Sequence, residues 1–339
     1  PDQVVGGGTS RPPGLVPLDA DHGAELEAAL DRARRAYGLD VLVVGLSIDA
    51  ERGWSGGSGT APDGRTQLDG GDPFAIASVT KTFTAAIVLQ LVEERQIGLD
   101  DLVTDYLPMG GALEGVTVRQ LLAHRSGILD IVPLLRTQLN SNTSRHWTPE
   151  EVLRSVGPSI FEPGSAWRYS NTNFVVLGML VEAVTGQAFE DELARRLLEP
   201  MALDGAGMLL TPDAPWLFSE SWASAFWTAG GMYATAEDLV RWGDALYGGW
   251  VLRPSSLRTM LAFEDVPYGL GAEELQMAGL VGYGHSGLLR GFTSLLVHLP
   301  DEGLTIAVLG TDRAFAPTAL LTRSEPGQPS ILDLALAAR

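Results

Sequence analysis

The sequence predicts a mixed α/β (α+β) fold: an antiparallel sheet flanked by N- and C-terminal helices, with an inserted, mostly helical lobe and the site between them. Three observations carry this. Strand patterns occur near the start of the chain and again near its end. The stretch from Ser78 to about residue 225 is dominated by helical patterns. At 339 residues the chain is long enough for two lobes and the cleft between them.

The elements follow in order. Residues 1–20, opening "PDQVVGGGTSRPPGLVP", are rich in Gly and Pro and read as a flexible tail. "DHGAELEAALDRARRAYG" places Leu26, Ala29, Leu30 and Ala33 on one apolar helical face, with Gly38 as a stop. "LDVLVVGLSID" reads as a strand, and "AERGWSGGSG" as a glycine-rich turn into a second one. Helices are expected at 79–95, 117–126, 148–156 and 171–186, opened by Ser, Thr or Asn and closed by Gly or Pro. Strand character returns in "LVGYGHSG", "GFTSLLVHLP" and "GLTIAVLGTD", with a hairpin turn at Asp301–Gly303, and "SILDLALAAR" suggests a terminal helix. The division expected is an α/β lobe from 21–77 plus 229–339 and a helical lobe over 78–228.

Composition narrows the function. The net charge is −19, from 23 Lys+Arg against 42 Asp+Glu, with no basic patch, so nucleic acid is not an expected partner. Without cysteine there are no disulfides, thiolate metal sites or cysteine nucleophiles. The histidines at 22, 124, 146, 285 and 298 are scattered and no H-E-x-x-H occurs, so no metal site and no cofactor are expected. Apolar runs such as "AAIVLQLV" are too short to span a bilayer, so no transmembrane segment is expected.

Three short motifs carry the chemistry. In "SVTK" at 78–81, Ser78 and Lys81 stand three apart on one helix face. A serine at a helix start offers a nucleophile and a backbone N–H at the positive end of the helix dipole. The lysine would have to fall ~3 pKa units to act as base near pH 7, and burial supplies shifts of that size. In "AWRYSNTNF", Tyr169 and Asn171 precede an apolar helix; Asn171 or Thr172 would cap that helix, and a tyrosine near a cationic lysine loses its proton more easily. In "YGHSGLLRGF", His285, Ser286 and Gly287 lie on a strand whose glycines allow a substrate against the backbone.

S-x-x-K, then Y-x-N, then H-S-G in this order resembles the active-site triplet of the penicillin-recognising serine enzymes. With tyrosine in the second motif and histidine in the third, the chain is similar to the class C β-lactamase branch, and most to secreted actinobacterial D-Ala-D-Ala carboxypeptidases. "VTVRQLLAHRSGI" and "TAGGMYATAEDLVRW" share that likeness, which runs from about residue 25 to the last strands. The resemblance implies a β-lactamase/transpeptidase-like fold and an acyl-enzyme on Ser78, with Lys81 taking its proton and Tyr169 exchanging protons with the leaving group and the deacylating water. Asn171 would bind the substrate's acyl side-chain amide, and His285 would be the electrostatic partner of Tyr169. The backbone N–H groups of Ser78 and Leu288 would form the oxyanion hole. The implied substrate is a peptidoglycan stem peptide, a β-lactam or an ester. The implied location is extracellular or in the cell envelope, after removal of a leader that the chain does not contain.

Departures from the family pattern bear on substrate. Leu288 stands where the carboxypeptidases carry Thr or Ser, and no arginine occurs on the approach "YGLGAEELQMAGLVGYGHSG", which instead carries Glu273 and Glu274. Arg290 is the candidate to compensate, and Trp227 the candidate to wall the cleft. An esterase or amidase of the same fold needs no carboxylate clamp. A non-catalytic binding protein would not need Ser78 and Lys81 together. "GWSGG" at 53–57 matches a nucleophile elbow, but no helical pattern follows, so Ser55 reads as a turn residue and His124 as structural.

Overall fold

A computed structural model describes residues 14–60, 68–211, 219–311, 315–324 and 326–339. Among the described residues ten strands run in chain order: β1 (Val16–Pro17), β2 (Val41–Ile48), β3 (Arg52–Gly59), β4 (Phe74–Ala75), β5 (Gly207–Met208), β6 (Met232–Ala234), β7 (Glu273–Met277), β8 (Leu280–Leu289), β9 (Phe292–Leu299) and β10 (Leu304–Thr311). Seven form one sheet in the order β1-β3-β2-β10-β9-β8-β7, antiparallel except for the short β1–β3 pair. Both ends of the chain thus build one sheet, as the strand patterns predicted. A small sheet, β4-β6-β5, lies beside it.

The expected helix at the start is α1 (Ala20–Tyr37), and it buries Leu26, Ala29, Leu30 and Ala33. Asp19 caps it by accepting the His22 N–H, and Gly38 ends it at φ 62°. The sheet is buried on both faces. Along β2, Leu42, Val44, Leu46 and Ile48 pack with α1 and the C-terminal helix Ile331–Ala337, while Val41 and Val43 face the other, larger core. On that second face the helix Ala236–Tyr247 comes so close that a Cβ at Gly45 would stand 2.8 Å from the Ala236 carbonyl.

Several expectations need correction. Residues 1–13 of the expected tail lie outside the described residues, but Val16–Pro17 pairs with Arg52–Gly53 and anchors the chain from there. "RGWSGGSG" is not a turn: it is β3, and Ser55 sits in mid-strand donating to Glu237 Oε1 at 2.8 Å. A strand this rich in glycine forms because β2 supplies a full antiparallel ladder beside it. The strand β7 had no sequence signal, since its period is broken by two adjacent glutamates.

The four expected helices are present as α2 (Thr80–Glu93), Val118–Leu122, Pro149–Arg154 and Asn171–Thr185. Thr117 with Gln120 and Thr148 with Glu151 form capping boxes on the second and third. Neither Asn171 nor Thr172 caps the fourth: Ser170 holds the cap position, and the Asp130 carboxylate accepts the Asn171 N–H at 3.1 Å. A further helix, Glu220–Gly230, is broken at Trp227 (φ 30°, ψ −113°), a backbone conformation that a bulky residue adopts only under tertiary compulsion. The break frees the Thr228 carbonyl to accept the Thr84 hydroxyl at 2.7 Å and turns the Ala229 carbonyl toward α2.

Candidate active site

The site forms where a 3-10 turn, Ala77–Val79, enters α2 beside β8. Ala77 holds φ 47° just before Ser78. The approach is close enough to require Gly287, whose Cβ would stand 2.6 Å from the Ile76 carbonyl and collide with Ser294. β7 begins opposite Gly284, so the β8 edge from His285 to Leu289 is left to face that turn. The backbone N–H groups of Ser78 and Leu288 belong to these two facing segments.

Ser78 Oγ accepts the Tyr169 hydroxyl at 2.8 Å and lies 3.1 Å from Lys81 Nζ. Lys81 is fully buried and donates to Asn171 Oδ1 at 2.8 Å and to the Ala229 carbonyl at 2.6 Å. Burial drives its pKa down to about 7, with Asp130 and Glu273 pulling the other way. A neutral amine has two N–H donors and one lone pair. Two acceptors and one hydroxyl surround this one, so the neutral form satisfies every valence.

Tyr169 departs from expectation. Burial pushes its pKa up, even though the hydrogen bond to Ser78 favours ionisation, so at neutral pH it is a phenol that donates. His285 is brought into the cleft, but not against Tyr169: the rings stand 6.3 Å apart between centroids, with no hydrogen bond between them. Instead the Tyr268 hydroxyl joins His285 Nε2 (3.0 Å) to His124 Nε2 (3.2 Å). The hydrogen bonds assign both tautomers. Ser286 O can only accept, so His285 Nδ1, at 2.6 Å, carries hydrogen. The Ser170 N–H and the Asn173 amide both donate to His124 Nδ1, so His124 carries its hydrogen on Nε2. The chain therefore runs in one direction, from His124 through Tyr268 to His285, with both imidazoles neutral. Burial lowers both pKa values; at His285 it outweighs the opposing pull of Glu273.

Asn171 lies in the site with its amide nitrogen on Asp130 Oδ1 at 3.0 Å. Ser286 gives its N–H (2.9 Å) and its hydroxyl (3.1 Å) to the Glu273 carboxylate. Leu288, 62% exposed, and Arg290, donating to Asn140 Oδ1 at 2.8 Å, line the same 680 Å³ cleft. Trp227 does not wall it. Its indole is buried away from the cleft, donating to Glu190 Oε1 at 2.9 Å, and the wall is made by Trp222 and Phe226, which precede it in the same helix. Tyr268, Glu273, Trp222 and Phe226 complete the site. Only Glu273 had a sequence signal, as an acid on the approach to the third motif. Among the described residues no cluster of three or more His, Cys, Asp or Glu stands ready for a metal.

The fold and the grouping of Ser78, Lys81 and Tyr169 are of the β-lactamase type. The chain belongs to the β-lactamase family, whose model, described as Beta-lactamase, matches residues 26–323. Among curated proteins it is similar to a D-aminopeptidase of Cereibacter sphaeroides, 28% identical over 89% of this chain and 62% of that protein. The chain thus spans about three fifths of that relative's length. Among solved structures, a D-stereospecific amidohydrolase from Streptomyces sp. superposes with TM-score 0.76 at 29% identity, covering 88% of this chain and 97% of that one. A D-amino acid amidase from Ochrobactrum anthropi SV3 superposes with TM-score 0.75 at 25% identity, covering 84% and 92%.

Proposed function

We propose that this chain hydrolyses amides of D-configured acyl groups through an acyl-enzyme on Ser78. The observation that carries the reading is the position of Ser78 Oγ between a buried, neutral-capable lysine and a protonated tyrosine. Neutral Lys81 takes the Ser78 proton as Oγ bonds to the carbonyl carbon. The oxyanion sits between the N–H groups of Ser78 and Leu288. The carbon–nitrogen bond then breaks, and the proton held by Lys81 returns to the leaving nitrogen through the Tyr169 hydroxyl. Water repeats the cycle: it gives a proton to the same pair, attacks the ester carbon and releases Ser78. Asn171 holds Lys81 and faces the acyl group. His285 is a neutral neighbour held by Tyr268, not a cation.

D-configuration is supported by the names of the three relatives: a D-aminopeptidase, a D-stereospecific amidohydrolase and a D-amino acid amidase. A second reading, D-Ala-D-Ala carboxypeptidase activity of the class C kind, is favoured by Arg136 and Arg290 in the cleft, since a stem peptide brings a carboxylate. Intact-protein mass after brief exposure to a D-phenylalanine ester and to a penicillin, with Ser78→Ala as control, tests the mechanism. Turnover of D- against L-phenylalanine amide tests the substrate. An adduct on the Ser78→Ala protein, or faster turnover of the L-amide, defeats the proposal.

A further inference from the structure

The leaving-group end of the cleft can be located from the chemistry, on the acyl-enzyme reading above. The scissile nitrogen must lie toward its proton donor, Tyr169, and so toward His285 and Ser286. The acyl part then extends toward Asn171.

Groups at the leaving end are uniform in character. The Glu273 carboxylate lines the cleft and takes two donors, the N–H and the hydroxyl of Ser286. A carboxylate has about four acceptor sites, which leaves two for a ligand. Because the Ser286 hydroxyl is committed to Glu273, it presents only lone pairs to the cleft. His285 spends its one N–H on the Ser286 carbonyl at 2.6 Å, and the same nitrogen stands 3.5 Å from Glu273 Oε1, so His285 offers no free donor to a ligand at this end. A carboxylate placed here would meet a like charge and no free donor, whereas an ammonium or amide nitrogen would meet an acceptor. Arg136 and Arg290 line the same cleft, and among the described residues neither pairs with Glu273.

We propose that Glu273 sets the leaving-group specificity: amides that release ammonia or a cationic amine are preferred over those whose leaving group carries a carboxylate.

The test compares kcat/KM for D-phenylalanine amide, D-phenylalanyl-ethylenediamine and D-phenylalanyl-glycine, which share one acyl group. The native chain should prefer the first two over the third by at least tenfold. Glu273→Gln, which keeps an acceptor for Ser286, should shrink the ratio of diamine to glycine substrate about tenfold, and Glu273→Arg should invert it. Equal losses on all three substrates in Glu273→Gln, or a native preference for the glycine substrate, would overturn the proposal. If none of the three is turned over while activated esters still acylate Ser78, the amidase reading has failed. The same comparison is then read on ethyl, 2-aminoethyl and carboxymethyl esters, where an unchanged ratio in Glu273→Gln is the overturning result.

Discussion

Lys81 Nζ lies 3.1 Å from Ser78 Oγ and, among the described residues, has no carboxylate in ion-pair contact. A buried lysine without a counter-ion is held because it sheds its proton, and with its pKa at about 7 it does so near neutrality. On the proposed mechanism Lys81 serves as base only when neutral. The log of kcat/KM on D-phenylalanine amide should therefore rise with slope near one below pH 7 and level off above it. Burial lowers the pKa of His285, which disfavours its charged form over the same range. A profile that falls as pH rises from 6 to 8 would contradict this assignment.

Replacing Lys81 with Met separates chemistry from stability. Turnover should fall by about a thousandfold or more, because nucleophile and base act as a unit. The stability effect has a defined sign. The unfolded lysine, near 10.5, binds a proton that the folded one releases at about 7, so folding carries a penalty of roughly 5 kcal/mol, in full below pH 7 and fading as pH rises toward 10.5. Denaturant unfolding of both proteins should show the stability of Lys81→Met relative to the native chain falling by roughly 3 kcal/mol between pH 7 and 9.5. A gap independent of pH would show that Lys81 titrates normally.

Tyr268→Phe removes the hydroxyl between His124 and His285 and leaves a buried donor and a buried acceptor facing a hydrocarbon edge. The expected cost is about 1–3 kcal/mol in stability. The tautomer of His285 also loses its constraint, so the imidazole proton shifts in an NMR spectrum should change at both histidines. Shifts confined to one histidine would refute a continuous chain.

Leu288→Thr tests side-chain recognition at a residue whose side chain lies in the cleft at 62% exposure, so the change should be structurally silent. It supplies a hydroxyl donor without touching the backbone N–H. Hydrolysis of D-Ala-D-Ala peptides should rise about two- to fivefold relative to simple esters. An unchanged ratio would remove the missing hydroxyl as a cause of weak carboxylate recognition.

The sequence revealed the parts of this molecule that depend on local chemistry. The α1 face of Leu26, Ala29, Leu30 and Ala33, the Gly38 stop and the caps at Thr117 and Thr148 are short-range features, and each is found where the pattern put it. Ser78, Lys81 and Tyr169 were legible for another reason: their types and order resemble a known triplet, and the fold brings them within hydrogen-bond reach. What escaped depends on tertiary placement. Tyr268 acts only because two histidines from distant segments meet it, and nothing near "PYGLG" announces that. Trp227 and Trp222 are both tryptophans of one helix, and only the break at Trp227 decides which of them faces the cleft. The capping role expected of Asn171 passed to Asp130, some forty residues away in sequence, which leaves the amide oxygen of Asn171 for Lys81.

The strained turn at Trp227 makes the reactivity of this chain conditional. Lys81 finds its acceptors only when Ala229, from the broken helix, and Asn171, from another, are both docked on α2. The turn is pinned by the Trp227 indole on Glu190 and by the Thr228 hydroxyl on the Phe174 carbonyl at 2.7 Å, contacts that exist only after these segments assemble. Until then Lys81 is an ordinary solvated ammonium and Ser78 an ordinary alcohol. On the proposed mechanism a nascent or partly opened chain is thus chemically silent, and Ser78 is armed by the same closure that completes the fold.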